Sequence, residues 1–159
     1  MQNSELGFDG AFVYSEESCE EGFERVLRET GGGGIDVYYD NVGGEQLDVA
    51  ISHMVEFGRI VQCGNMSQQS VPKDQRYGIK NMPLVIQRRL TINGFIVSDP
   101  ELGPKYCEEH QQKMGEWIKN GEMVVKMAVT EGMENAAEGF VGMLKGEKFG
   151  KAVLKVADV

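Results

Sequence analysis

Residues 35–69, IDVYYDNVGGEQLDVAISHMVEFGRIVQCGNMSQQ, decide the fold. Ile35 to Tyr39 is a short apolar and aromatic run rich in strand formers, stopped by Asp40 and Asn41. Gly43 and Gly44 let the backbone turn tightly. Leu47, Ala50, Ile51 and Met54 recur at helical spacing and give one apolar face, with Phe57-Gly58 as the expected end of the helix. Arg59 to Cys63 reads as the next buried strand, and Gly64 opens the loop beyond it. Two strands joined by a helix make a right-handed βαβ unit with parallel strands. Ligands of open parallel sheets sit beyond the carboxyl ends of the strands. That places a candidate site at Asp40–Gly43 and at Cys63-Gly64-Asn65-Met66-Ser67.

Outward from this unit, the chain keeps alternating. Before it, Ala11 to Tyr14 is expected as a strand, and Ser18 with Glu21 forms a capping-box pattern ahead of a helix carrying Cys19, Phe23, Val26 and Leu27. The GGGG run at 31–34 follows a helix and precedes a strand, the reverse of a phosphate loop, and reads as a connector. After it come a polar loop over 65–80, long enough to suggest a lid or binding loop, and a short helix with Asn81 as its cap and Pro83 in its first turn. Thr91–Val97 is expected as a strand, and 103–120 as an amphipathic helix with Tyr106, His110, Met114, Trp117 and Ile118 on one face. A strand over 123–129, a helix with Met133, Ala137, Phe140, Val141 and Leu144, and a strand over 152–156 complete the chain. This alternation predicts an α/β fold with a parallel sheet.

Composition sets the outer bounds. The 159 residues suffice for a sizeable core. A net charge of −9 without a basic face argues against nucleic-acid binding. Cys19, Cys63 and Cys107 are odd in number and far apart, and with His53 and His110 they build no metal-ligand spacing. Free thiols point to a reducing compartment. No apolar run approaches the ~20 residues of a membrane span, and no secretory leader is recognisable, so a cytoplasmic protein is expected.

DNVGG, the FGRIVQCGNMS strand and loop, NGFIVSD, KMGEWIKNGEM and TEGMENAAEGFVGMLKGEKFGKAVLKV occur in collinear order. Together they resemble the medium-chain dehydrogenase/reductase superfamily, in particular its zinc-independent branch of NADPH-dependent alkenal double-bond reductases and prostaglandin (leukotriene B4 dehydrogenase) reductases. The resemblance implies an incomplete Rossmann-like, doubly wound parallel sheet, strands 3 to 6 of the nucleotide domain, followed by a β-α-β tail. It divides the chain into a partial dinucleotide-binding domain at 1–121 and a tail at 122–159. Family members run to roughly twice this length in two domains. The first strand and its glycine-rich turn would lie upstream, and no G-x-G-x-x-G occurs here. The resemblance implies hydride transfer from NADPH to the β-carbon of an α,β-unsaturated aldehyde or ketone, and association into homo-oligomers through sheet edges.

Several residues match cofactor-binding positions of the family. Asn41 would meet the nicotinamide-side ribose and phosphates, or else cap its own loop. Tyr14 would lie near the adenosine 2′-phosphate, or be a strand tyrosine with a wet hydroxyl. Cys63, Gly64 and Ser67 belong to the loop under the nicotinamide ribose, although Cys63 also reads as a small buried residue. Phe95, Ile96 and Val97 would end beside the nicotinamide ring, or be plain apolar core. Lys148 in GEKFGK would meet a phosphate or face solvent. The family loop usually carries a tyrosine six residues after the cysteine; here that residue is Gln69, and Tyr77 is the next tyrosine in the loop. No catalytic residue is assigned and no metal is expected. A non-catalytic nucleotide-binding or self-associating module is the alternative, with a methyltransferase-like domain a weaker third.

Overall fold

The computed structural model describes residues 6–157. It divides into two compact units, one ending at Cys107 and the other beginning at Glu108. The division after residue 121 drawn from the family pattern remains a proposal.

In the first unit, helix α1 (Cys19–Glu29) starts at the predicted capping box: Glu21 N–H donates to Ser18 Oγ, while Ser18 N–H and its hydroxyl both donate to the Glu21 carboxylate. The glycine run then connects α1 to strand β1 (Ile35–Asp40), followed by helix α2 (Gly44–His53), strand β2 (Met54–Gln62), a single turn α3 (Met66–Gln69), a short helix α4 (Pro83–Gln87) and strand β3 (Thr91–Gly94). The sheet order is β1-β2-β3, parallel throughout, with Tyr38 opposite Ile60 and Ile60 opposite Ile92. Leu47, Ile51, Met54, Ile60 and Leu90 form the buried core, with Ile35, Tyr38, Ile79, Leu84, Val85 and Ile92 packed around it. The apolar face predicted for α2 is therefore the one that seats the helix on the sheet.

Four expectations are corrected in this unit. Ala11–Tyr14 is not a strand, so the sheet holds three strands here rather than four. No ladder reaches this segment. Instead Glu16 and Glu17 N–H donate to Val13 O, Arg25 Nη2 donates to Ala11 O, and the Phe12 ring lies 5.3 Å from that of Phe23 on α1. Helix α2 stops at His53 rather than at Phe57-Gly58. A tertiary cap ends it, since Arg88 Nη1 donates to the carbonyls of Ile51, Ser52 and Met54, and the last carbonyls of a helix need such partners. Asn81 does not cap α4 with its side chain, which donates to the carbonyl of Asp48 instead. Strand β3 ends at Gly94, short of Val97, because Ile96 N–H turns back to Asp99 Oδ2.

Helix α5 (Gly103–Lys119) carries the chain through the division between the units. In the second unit β4 (Met127–Glu131) and β5 (Lys151–Lys155) pair in parallel, with α6 (Ala136–Leu144) as the crossover. Its strand starts four residues later than the sequence suggested. Met133, Phe140, Val141 and Leu144 are exposed, and a cavity of about 480 Å³ lies between α6 and the strands. Among the described residues no helix is long and apolar enough to cross a membrane.

Candidate functional site

The carboxyl ends of β1, β2 and β3 carry most of the candidate residues. Asp40 closes β1 and organises the turn after it. Its Oδ1 accepts from Val42 N–H and Gly43 N–H, both at 2.9 Å, and its carbonyl accepts from Cys63 N–H and Gly64 N–H at 2.8 and 3.0 Å. The side chain is buried and its Oδ2 has no hydrogen-bond partner. Beyond it the two strand-end loops are fastened to each other. Met66 N–H donates to Asn41 O at 3.1 Å, and Ser67 donates to Val42 O through both its N–H (3.0 Å) and its hydroxyl (2.8 Å).

This pairing explains the glycines of DNVGG. Gly43 and Gly44 both hold positive φ, 68° and 57°. A Cβ on Gly43 would collide with the Asn65 side chain, and one on Gly44 would stand 2.5 Å from Gln68 Nε2 and 2.7 Å from Ser67 Oγ. The missing Cβ of Gly64 makes room in the same way for the backbone of Asn41, 2.7 Å from where it would sit. All three glycines serve the seating of one loop against the other.

The outer surface of this junction is open. Asn41, Cys63 and Ser67 are exposed, as are Ile96 and Val97, while Phe95 is half-buried. Tyr39, which the sequence reading did not single out, sits among them. Its ring lies 6.4 Å from that of Phe95. The neighbouring Cys63 side chain, and then desolvation, raise the Tyr39 phenol above its ordinary range. The signal for Tyr39 was the strand period, since in β1 it faces the side opposite to the half-buried Tyr38. Cys63 is thus an exposed thiol, not the small buried residue its type suggested.

Two further candidates, Tyr14 and Lys148, lie on other segments of the chain. Tyr14 is 75% exposed in a turn, at an apolar cleft of about 500 Å³ that Phe12, Phe23, Ile35 and Val42 also line. Lys148 belongs to the second unit, where it borders a cleft of about 250 Å³ with Glu131, Glu138 and Glu147.

The loop that follows is where the site departs from the family pattern. Gln69 is exposed and carries no acid. The Tyr77 hydroxyl does not point its proton to solvent: it donates to Asp48 Oδ2 at 2.9 Å. Burial first, then this bond, raise the Tyr77 phenol, and Lys80, whose Nζ lies 5.1 Å from the ring centre, opposes them. Asp48 itself was missed by the sequence reading. Its signal was a lone carboxylate one turn before Ile51 on the apolar face of α2.

As to what the site could hold, its exposed amide, hydroxyl and aromatic groups suit a ligand with sugar hydroxyls and a planar ring. Among the described residues no group of three or more His, Cys, Asp or Glu side chains could hold a metal ion.

Comparison with known proteins agrees with this architecture. The family model described as zinc-binding dehydrogenase matches residues 2–113. The NADP-dependent oxidoreductase RED1 of Cochliobolus heterostrophus is 46% identical over 97% of this chain and 43% of its own length. The 2-alkenal reductase (NADP(+)-dependent) of Nicotiana tabacum is 37% identical over 99% of this chain and 43% of its own. Among solved structures, CurA from Vibrio vulnificus in complex with NADPH superposes with a TM-score of 0.69 at 29% identity, covering 87% of this chain and 41% of that one. The chain spans about two fifths of the length of the relatives it matches.

Proposed function

The chain belongs to the zinc-binding dehydrogenase family, and from that premise we propose that it is the nucleotide-domain portion of an NADPH-dependent oxidoreductase that reduces the C=C bond of α,β-unsaturated aldehydes or ketones. The carrying observation is the cluster of Tyr39, Asn41, Cys63, Ser67 and Phe95 at the carboxyl ends of three parallel strands, where such sheets take ligands. The alkenal substrate class draws support from the tobacco relative's name, and NADPH from the relatives and from the bound CurA structure.

When bound, NADPH supplies the hydride. The residues of this chain bind and orient. The Asn41 amide both donates and accepts, which suits ribose hydroxyls. Tyr39 and Phe95, with ring centroids 6.4 Å apart, offer aromatic surface to a planar ring, and Ile96 and Val97 add exposed apolar surface next to Phe95 in the chain. Ser67 gives its hydroxyl proton to Val42 O and accepts from Gln68 Nε2, which leaves one lone pair of its oxygen to accept from a ligand. Gln69 has no acidic proton to give, and the Tyr77 proton is held by Asp48. Although the family description names zinc, the described residues do not build a zinc site, and no step is derived through one.

The unpaired edge of β1, with Val37 and Tyr39 50% and 56% exposed, supports self-association through sheet edges. It equally favours the second reading, a self-associating module without turnover.

The test is a titration of the chain with NADPH, followed by cofactor fluorescence, with NADH in parallel. The expected result is saturable NADPH binding near 10 μM or tighter, roughly −7 kcal/mol, weakened by Asn41→Ala. No binding at millimolar cofactor would leave the module reading in its place.

A further inference from the structure

One buried carboxylate fastens the 66–81 loop to helix α2. Asp48 is 3% exposed, and every bond its carboxylate makes comes from that loop. Oδ1 accepts from Lys80 N–H at 2.9 Å and from Asn81 N–H at 2.8 Å, and Oδ2 accepts from the Tyr77 hydroxyl at 2.9 Å. Asn81 Nδ2 adds a fourth bond, to the Asp48 carbonyl, at 2.9 Å. Ile79 packs against the core in the middle of this set.

The connection does not end at Tyr77. Its backbone N–H donates to Gln68 Oε1 at 2.7 Å, Gln68 Nε2 donates to Ser67 Oγ at 3.0 Å, and Ser67 Oγ donates to Val42 O at 2.8 Å. A path of hydrogen bonds thus leads from a buried anion on α2 to the exposed junction of the β1 and β2 loops.

We propose that Asp48 and Tyr77 are positioning residues, which hold the 66–81 loop in one arrangement and through Gln68 set the place of Ser67 at the strand ends. The ligand consequence of this role rests on the NADPH reading above; the loop arrangement does not. The physical reason is the cost of a buried charge. A carboxylate out of water is tolerated only when its lone pairs are filled, and here the loop supplies all three donors. Lifting the loop would strip Asp48 of these donors together, so the closed arrangement is strongly favoured. Tyr77 lacks a role as proton donor for the same reason that it has this one.

The experiment compares the wild-type chain with Tyr77→Phe, Asp48→Ala and Asp48→Asn by amide hydrogen exchange and by NADPH titration. A hydrogen bond to a charged group, once lost, corresponds to roughly a tenfold change in an equilibrium. Tyr77→Phe is expected to speed exchange at the Met66 and Ser67 amides by about that factor, with Ile60 and Val61 in β2 unchanged, and to weaken NADPH binding alongside. Asp48→Ala should exceed it. Asp48→Asn should recover part of the loss, because an amide oxygen still accepts from Lys80 and Asn81. Unchanged exchange at Met66 and Ser67 in Tyr77→Phe would overturn the proposal, as would a rise shared equally by the β2 amides, or altered loop exchange with unaltered NADPH affinity. Should the wild-type chain bind no NADPH while the loop amides respond as expected, the positioning of the loop stands and the cofactor reading of this chain falls.

Discussion

Gly64→Ala tests whether the strand-end glycines serve the seating of loop on loop. Gly64 is not in the left-handed region of φ, so backbone strain is absent and the cost is purely steric. Its added Cβ would stand 2.7 Å from Asn41 O and 3.2 Å from both Asn41 C and Cα, where ordinary contact begins at 3.4 Å. These are backbone atoms, and they cannot swing aside as a side-chain tip could. They are also pinned, since Asn41 O accepts from Met66 N–H and Asp40 O accepts from Gly64's own N–H. Overpacking of this kind costs about 1–3 kcal/mol. At about 2 kcal/mol, the first unit should melt roughly 8–16 °C lower, read by far-UV circular dichroism. Gly33→Ala is the control: nothing lies within 4 Å of its added Cβ and its φ is not positive. It should be neutral or stabilise by about 0.4–1 kcal/mol by restricting the unfolded chain. A Gly64→Ala chain that melts with wild type would refute the reasoning, because the two loops would then not be in contact as described.

Two further outcomes are expected. Ile51→Ala empties the centre of the first unit's core, where the side chain is 0% exposed against Leu47, Met54, Ile60 and Leu90, and should cost about 2–5 kcal/mol in urea unfolding; a loss under 1 kcal/mol would mean the core does not close there. The capping box gives a pH signature. The Ser18 hydroxyl and then its backbone N–H hold the Glu21 carboxyl below its ordinary 4.5. A depressed folded-state value means the stabilisation is present in full above about 4.5 and is lost as pH falls through the lowered value. Glu21→Gln should therefore flatten the acid limb of the stability curve, and an unchanged limb would show that the bond contributes nothing.

The sequence alone determined the local elements wherever one physical rule spoke without rivals. The capping box placed the start of α1, the order helix–glycine–strand made 31–34 a connector, and the spacing of Leu47, Ala50 and Ile51 gave the face that α2 buries. The gathering of Asn41, Cys63, Ser67 and Phe95 at the carboxyl ends of the parallel strands followed too, and a ligand site there is the proposal built on it. Tertiary structure decided what depends on partners distant in sequence. A strand exists only if another offers it hydrogen bonds, so Ala11–Tyr14, rich in strand formers, packs on α1 instead. Arg88, some 35 residues away, ends α2 before its own sequence would. Asp48 becomes an anchor only when residues 77–81 come back to fill its lone pairs. Propensity and spacing act over a few residues, whereas the satisfaction of buried polar groups is settled by the whole fold.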